Sequence, residues 1–366
     1  MSAAPGSSPL LARLIERIRR FGPISIAEYM ATALGDPEHG YYRTRDPLGA
    51  AGDFVTAPEI SQMFGELVGL WAAVVWQQMG SPGGLRLVEL GPGRGTLMTD
   101  LLRAARSVPG FRESLAVHLV ETSETLRSLQ KARLGEDCLI WHESLAEVPD
   151  GPVIVIANEF FDALPVRQFQ RAQSGWHERL VDVDEDGHGL RLVLSPAPLP
   201  GLPAATDGEG PPGTVREVSP GAIALDREIA RRIEAGGAAL IVDYGPASGG
   251  VGETLQAVRC HAHAPVLEAP GDADLTAHVD FRALCRAAVD AGARAHGPIS
   301  QATWLGRLGI EARAAVLKRE ATPEQAAAVD AACRRLIGSD EMGTLFKVLA
   351  LTGPDLPAPP GFEEDD

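Results

Sequence analysis

The sequence has little cysteine, no long apolar run and no excess of basic residues. Its four cysteines are scattered along 366 residues without a CxxC pair, which argues against a disulfide framework or a thiolate zinc site and predicts a reducing compartment. No apolar run approaches the length needed to span a bilayer, so we expect no membrane insertion. The net charge of −16 repels phosphates at long range, so nucleic acid is not an expected partner.

The segment MSAAPGSSPLLARLIERIRR at the start of the chain is rich in arginine and leaves two interpretations of location open. An amphipathic first helix that continues into structured sequence predicts a cytoplasmic protein. A mitochondrial transit peptide would instead direct the protein to the matrix. We favour the helix, because the segment runs on without an obvious cleavage site.

Short apolar runs alternate with helical patterns along much of the chain. This alternation predicts an α/β fold with a mostly parallel sheet that is covered by helices on both faces. The predicted strands are 85–90, 115–121, 137–141, 153–158, 238–243 and 344–351, and the predicted helices are 96–106, 123–133, 221–235 and 280–291.

Three regions differ from this pattern. We expect residues 1–80 to form an N-terminal helical region that packs on the core, and residues 81–352 to form the core itself. Within that core, residues from about 163 to 220 alternate and turn like an antiparallel β insertion, which contains a Pro/Gly-rich mobile loop at 195–213. The acidic, Pro-rich residues 353–366 predict a disordered tail.

Three glycines at alternate positions, Gly91, Gly93 and Gly95, directly follow the first predicted strand and precede a helix. Residues without a side chain allow a nucleotide-type ligand to approach this turn, and the helix N-terminus attracts a carboxylate or phosphate. The spacing is GxGxG rather than the GxGxxG of dinucleotide-binding proteins. It favours S-adenosylmethionine, with NAD or FAD as one alternative and a tight structural turn as another.

Two acidic residues accompany the glycines. Glu121 ends the second predicted strand, where a carboxylate can accept hydrogen bonds from both ribose hydroxyls. Glu89 lies in the turn itself, where it would repel a pyrophosphate but attract the ammonium and sulfonium groups of S-adenosylmethionine. Glu89 and the glycine spacing therefore favour the methyl donor over a dinucleotide.

The combination of motifs resembles the MidA-like family of S-adenosylmethionine-dependent methyltransferases, from about Leu10 to Leu351. The motifs are GDPEHGYY, GDFVTAPEISQMFGELVGLW, VELGPGRGTLMTDLLR, ANEFFDALPVRQF, LIVDYG and PGDADLTAHVDF. The resemblance implies a class I (Rossmann-like) methyltransferase fold and symmetric dimethylation of a protein arginine, as by the mitochondrial assembly factor that acts on a core subunit of respiratory complex I. Carried over onto this chain, Gly91, Gly93, Gly95 and Glu121 are its ligand-binding residues.

The stretch ANEFFDALP ends the fourth predicted strand at the edge where the methyl acceptor should lie. We predict that Glu159 and Asp162 clamp a guanidinium, that Asn158 contacts ligand or substrate, and that Phe160 and Phe161 form apolar walls. The guanidinium has a pKa above 12, so a carboxylate must orient it and help to remove a proton. The structural alternative is that Asn158 and Asp162 only terminate a strand and cap a turn.

The stretch GDFVTAPEIS is a second candidate. Gly52 and Asp53 are predicted to close over the cofactor, and the helix N-terminus near Thr56 could hold its carboxylate. Thr56 and Glu59 also match a capping box, as do Ser25 and Glu28, so for Glu59 we favour a structural role.

Other polar residues carry weaker hypotheses. His261 and His263 have no third ligand at a suitable spacing, so we expect a polar loop and no metal site. Asp243 either lies near the acceptor or ends its strand, and Asp280 matches a helix N-cap. The segment His39–Tyr42 could line the site.

The sequence thus predicts an S-adenosylmethionine-dependent protein arginine methyltransferase whose partner is a protein substrate, and a homodimer is an open possibility. Three alternatives stay open: a methyltransferase for a small molecule or an amide side chain, a non-catalytic assembly module, and a dinucleotide-dependent oxidoreductase. The glycine spacing and Glu89 count against the last of these.

Overall fold

The computed structural model describes residues 8–44, 55–135, 139–200, 210–249, 252–259 and 261–363. The helices are α1 (Pro9–Phe21), α2 (Ile26–Gly35), α3 (Tyr41–Thr44), α4 (Ala57–Ile60), α5 (Gln62–Gln78), α6 (Thr96–Ala105), α7 (Phe111–Ser114), α8 (Glu124–Leu134), α9 (Pro220–Ile233), α10 (Phe281–Asp290), α11 (Gln301–Arg307), α12 (Ile310–Lys318), α13 (Pro323–Ile337) and α14 (Met342–Leu345). The strands are β1 (Ile24–Ser25), β2 (Leu85–Leu90), β3 (Leu115–Val120), β4 (Leu139–His142), β5 (Val153–Asn158), β6 (Arg167–Ala172), β7 (Gly175–Val183), β8 (Leu190–Leu194), β9 (Val215–Val218), β10 (Ala238–Tyr244), β11 (Gln256–Arg259), β12 (Ala262–Ala264), β13 (Asp274–Thr276), β14 (Arg294–Ser300) and β15 (Phe346–Thr352).

The chain forms two compact units. The methyl-donor unit, as we name it for its glycine motif, spans residues 55–161, 225–247 and 284–366. The insertion unit spans residues 1–54, 162–224 and 248–283. Among their described residues, the methyl-donor unit contains one sheet and the insertion unit two, and each unit has its own apolar core.

The methyl-donor unit is built on a seven-stranded sheet in the order β14-β15-β10-β5-β2-β3-β4. The strands from β10 to β4 are parallel, and β15 pairs antiparallel with β10. Because the chain leaves β2 for β3 on one side and later returns to β5 on the other, the strand order reverses between β2 and β5. A ligand crevice is expected at the carboxyl ends of these two strands.

The predicted α/β fold with a mostly parallel sheet and an antiparallel β insertion is confirmed, because all six predicted strands occur within two residues of their expected ends. Continuous apolar runs such as LRLVEL and VIVIAN form strands that are buried on both faces. The strand β14 and the helices α11 to α13 were not predicted.

The division into regions differs from the expected one. The helical region 1–80 is not one body, since α1 to α3 belong to the insertion unit while α5 belongs to the methyl-donor unit. Two glycines on α5 explain its placement, because a Cβ at Gly65 would lie 2.6 Å from the Cβ of Asp100 and one at Gly69 would lie 2.8 Å from the carbonyl oxygen of Leu101. Helix α5 therefore packs against α6 with almost no space between the two backbones.

The insertion unit contains the predicted meander but is larger than residues 163–220. The strands β1, β6, β7, β8 and β9 form an antiparallel five-stranded sheet, and β12, β11 and β13 form a three-stranded one from residues that we had assigned to the core. Residues 201–209 of the Pro/Gly-rich loop lie outside the described residues.

The prediction of a disordered tail is wrong for residues 353–363. Phe362 is buried in the core of the methyl-donor unit, and a Cβ at Gly361 would lie 2.7 Å from the indole of Trp304. The apolar side chains of this stretch fix it, even though its proline content is typical of disorder. Residues 364–366 lie outside the described residues.

The close packing of α5 on α6 generates a first prediction. Gly69→Val should lower the free energy of unfolding by about 1–3 kcal/mol, because the new side chain would overlap backbone that cannot move independently. Val74→Ala, at an exposed position of the same helix, is the matched control and should change stability by roughly 0.5 kcal/mol or less. Urea unfolding followed by circular dichroism measures both, and equal effects would contradict the close packing.

Candidate active site

The glycine loop follows β2 at the point where the strand order reverses. Gly91, Gly93 and Gly95 all adopt a left-handed backbone, with φ of 61°, 53° and 76°. Side chains disfavour this region, so the loop conformation requires these glycines. Gly95 is also the N-cap of α6, whose first N–H groups therefore point into the loop.

The first glycine is also in close contact with the turn after β5. A Cβ at Gly91 would lie 2.7 Å from Cδ2 of Phe160, so the Phe160 ring covers this part of the loop. Phe161 packs edge-on against the same ring, with 5.8 Å between ring centroids. The two aromatic residues therefore form an apolar surface beside the loop, and their predicted role as walls around the methyl acceptor stays a prediction.

Glu89 lies in β2 and is 3% exposed. Its Oε2 atom makes no hydrogen bond to any residue that the structure describes. Burial, followed by repulsion from Glu121, raises the pKa of Glu89 to about 8. A buried carboxylate in this state is stabilised by a cation, which the ammonium and sulfonium of S-adenosylmethionine would supply.

Glu121 follows β3 and is held by its surroundings. Its Oε1 accepts a hydrogen bond from the Ser123 amide at 2.8 Å, and its Oε2 accepts a longer one from Nε2 of Gln130 at 3.4 Å. Burial nevertheless raises its pKa above the usual range. The carboxylate is thus oriented before any ligand arrives, as ribose recognition requires.

Sequence reasoning missed Gln130. Its Nε2 donates to the Gly93 carbonyl oxygen at 2.7 Å as well as to Glu121, and its Oε1 accepts from the Trp141 indole at 2.8 Å. Gln130 therefore ties the glycine loop to the predicted ribose-binding acid. The sequence feature that could have indicated Gln130 is its position four residues after Leu126, on the apolar face of α8.

The polar residues after β5 are fixed tightly. Glu159 has φ of +49°, which is unusual for a residue with a side chain. Its Oε1 accepts hydrogen bonds from the Ala57 amide at 2.9 Å and from Nδ2 of Asn158 at 3.2 Å. Asn158 Oδ1 is buried without a hydrogen bond to the described part of the chain, so it offers an acceptor to a ligand.

Asp162 belongs to the insertion unit and is 6% exposed. Within that unit, the Tyr42 hydroxyl donates to Oδ1 of the buried Asp274 at 2.7 Å. Burial, and then the charges of Asp274 and Asp162, raise the pKa of Tyr42 well above its usual value. Tyr42 of the HGYY segment thus lies in an acidic environment, and the joint action of Glu159 and Asp162 stays a prediction.

The second candidate segment is only partly described. Gly52 and Asp53 lie outside the described residues, and their predicted role as a lid stays a prediction. The capping box at Thr56 and Glu59 is wrong, since the Thr56 side chain makes no cap hydrogen bond. The Glu59 carboxylate instead accepts from the Thr96 hydroxyl at the start of α6, because tertiary partners compete successfully with local capping.

The remaining predicted residues have structural surroundings. Ser25 caps α2 by accepting from the Glu28 amide at 3.1 Å, and Asp280 accepts from the Ala283 amide at 2.9 Å as an N-cap does. His263 lies in β12 and His261 directly precedes this strand, and both histidines are exposed.

Comparisons with known proteins agree with this geometry. Residues 67–299 match the family described as putative S-adenosyl-L-methionine-dependent methyltransferase. The chain belongs to this family. The resemblance to the MidA-like methyltransferases is confirmed, the protein is an S-adenosylmethionine-dependent methyltransferase, and the dinucleotide alternative is excluded.

Relatives cover nearly the whole chain. The protein arginine methyltransferase NDUFAF7, mitochondrial, of Danio rerio is 38% identical over 96% of this chain and 88% of its own length. The protein of the same name from Homo sapiens is 40% identical over 85% of this chain and 75% of its own. A likely methyl transferase from Burkholderia thailandensis bound to S-adenosylhomocysteine is 29% identical, with a TM-score of 0.84 over 100% of this chain and 99% of that chain.

Glu89 generates a pH prediction. With a pKa of about 8, the unliganded carboxyl is mostly protonated at neutral pH, whereas a bound cation favours the ionised form. Binding of S-adenosylmethionine should therefore release a proton, and its Kd should fall by up to about tenfold from pH 6 to pH 7. Calorimetry in two buffers with different ionisation enthalpies measures the proton released.

Glu89→Gln is the matched control, because glutamine has the same shape and no proton to release. It should bind the cofactor more weakly and with little pH dependence between pH 6 and 7. An unchanged pH dependence in this variant would assign the titration to another group, such as Glu121.

Proposed function

We propose that this methyltransferase transfers a methyl group to an arginine guanidinium of a protein substrate. The supporting observation is the carboxylate of Glu159, fixed at the carboxyl end of β5 by the Ala57 amide and the Asn158 side chain. A preoriented carboxylate is what a guanidinium nucleophile requires. The names of the relatives, protein arginine methyltransferase, support the same acceptor.

The described residues fit S-adenosylmethionine. The left-handed glycines leave room beside β2, Glu121 is oriented for the ribose, and the buried Oε2 of Glu89 lacks a hydrogen-bond partner in the described chain. When bound, the cofactor supplies an electrophilic methyl group on a positively charged sulfur. Glu89 would hold its cationic end, and the wall of Phe160 and Phe161 would exclude water.

The chain's own contribution to the chemistry is positioning and proton removal. With the methyl donor bound, a guanidinium nitrogen would take the methyl group, the electron pair of the broken carbon–sulfur bond would stay on sulfur, and the guanidinium would pass one proton to a nearby carboxylate. Orientation of the two reactants can lower the barrier by about 7–11 kcal/mol. Glu159 would orient the guanidinium and favour loss of the proton, and Asp162 would act with it as the second carboxylate.

Two finer features belong to the proposal. By the resemblance to the MidA-like family, the product is symmetric dimethylarginine and the substrate is a respiratory complex I core subunit or a related protein. The named relatives are mitochondrial proteins, so the cytoplasmic location predicted here stays a prediction, and the matrix is the location that the relatives support. No helix in the described part of the chain has the length and apolarity to cross a membrane.

The decisive experiment adds purified protein and methyl-labelled S-adenosylmethionine to lysate from cells that lack the gene. We expect labelled protein that contains symmetric dimethylarginine by mass spectrometry. Labelled glutamine or asparagine would indicate an amide acceptor, and label only in small molecules would indicate a metabolic methyltransferase. No label despite cofactor binding would favour an assembly role.

Two substitutions test the acceptor carboxylates in the same lysate. Asp162→Asn and Glu159→Gln should each retain cofactor affinity and reduce methylation by roughly 100-fold or more, because the guanidinium loses a charged partner. Asp280→Asn is the matched control, since asparagine caps a helix as well as aspartate does, and it should retain activity. Wild-type turnover by the Asp162 variant would remove that residue from the mechanism.

A further inference from the structure

We infer that Asp243 is a positioning residue for methyl transfer, which fixes the turn after β5 and thereby the placement of Glu159 and Phe160. This inference rests on the proposed function, because the turn carries the carboxylate that we assign to the acceptor. Sequence reasoning left Asp243 either near the acceptor or at a strand end. The structure instead shows its carboxylate bonded to the backbone of the neighbouring strand end.

Asp243 lies near the end of β10 and is 0% exposed. Its Oδ2 accepts hydrogen bonds from the amides of Phe160 at 3.2 Å and Phe161 at 2.9 Å, and its Oδ1 accepts from the Tyr244 amide at 2.9 Å. The carbonyl oxygen of Val242, one residue earlier, accepts from the Glu159 amide at 2.8 Å. The end of β10 therefore binds three consecutive N–H groups of the turn.

These contacts explain why Glu159 can hold a left-handed backbone. A φ of +49° is costly for a residue with a Cβ and persists only where the surroundings enforce it. The N–H groups on either side of the Glu159 Cα, those of Glu159 and Phe160, are fixed by Val242 and Asp243. Without the carboxylate of Asp243, the Phe160 and Phe161 amides would lose their acceptor, and the turn could relax to a negative φ.

Relaxation of the turn would affect both reactants. It would rotate the Glu159 side chain, and it would move the Phe160 ring, which lies against Gly91 of the glycine loop. A displacement of about 1 Å in such a site can reduce turnover by about 100-fold. Both carboxylate oxygens accept from backbone N–H groups, whereas an asparagine has one acceptor oxygen and would direct N–H donors at the N–H groups bound by the other.

Asp243→Asn is the primary test, with Asp226→Asn as matched control. Asp226 is also 0% exposed in the methyl-donor unit, and both its oxygens lack hydrogen bonds to the described residues. We expect Asp243→Asn to reduce the initial rate of arginine methylation in the lysate assay by about 100-fold while the Kd for S-adenosylhomocysteine changes less than about fivefold. Asp226→Asn should leave both unchanged. A wild-type methylation rate in Asp243→Asn would overturn the inference.

A second measurement does not depend on the methylation reaction, so it also tests the inference if Asp243→Asn folds poorly. Glycine adopts positive φ freely, so in a Glu159→Gly background the turn no longer needs to be forced. Asp243→Asn should therefore lower the unfolding midpoint by less than half as much in that background as in the wild type. Equal decreases in both backgrounds would show that Asp243 does not enforce the turn, and they would overturn the inference.

The two experiments also separate this inference from the proposed function. If wild-type protein methylates no arginine, the proposed acceptor is wrong, yet the double-substitution measurement still decides whether Asp243 holds the turn. If arginine is methylated and the two substitutions act additively, the function stands and the positioning role fails.

Discussion

In the methyl-donor unit, carboxylates are buried at the ends of the parallel strands, and the structure there depends on how the lost hydration of these carboxylates is replaced. Glu89, Glu121 and Asp243 all lie at this edge of the sheet and are at most 8% exposed. Removing a carboxylate from water is costly unless hydrogen bonds or a cation replace the hydration. Backbone amides compensate Glu121 and Asp243, whereas Glu89 retains an oxygen without a hydrogen bond in the described chain. At this edge of the sheet, a cation would stabilise the carboxylate of Glu89, whereas the carboxylates of Glu121 and Asp243 fix nearby backbone.

The two turns that border this edge reach a left-handed backbone by different means. The loop after β2 uses glycines, for which positive φ carries no steric cost. The turn after β5 has Glu159 at the left-handed position, and hydrogen bonds from the neighbouring strand end hold the conformation there instead. Phe160 connects the turns through its contact with Gly91. Under the proposed function, the need for a carboxylate at Glu159 explains why the second turn does not use glycine.

Most of the methyl-donor sheet could be predicted from the sequence, because continuous apolar runs identify strands that are buried on both faces. The edge strand β14 has the sequence RAHGPIS, which is only partly buried and contains a proline near a bulge, so no apolar run indicated it. Local rules also failed where tertiary partners compete with them. Glu59 matched a capping box, but the Thr96 hydroxyl, 37 residues away, binds its carboxylate.

The candidate site could be predicted only where its residues lie close together in sequence. The glycine loop with Glu89, and the cluster from Asn158 to Asp162, are local in this sense. The contact between Tyr42 and Asp274 joins residues 232 positions apart, and no local pattern pairs them, although each lies in a stretch that carries the family resemblance. Since both residues belong to the insertion unit and Glu89 to the methyl-donor unit, the family's motifs describe two folded units rather than one loop cluster.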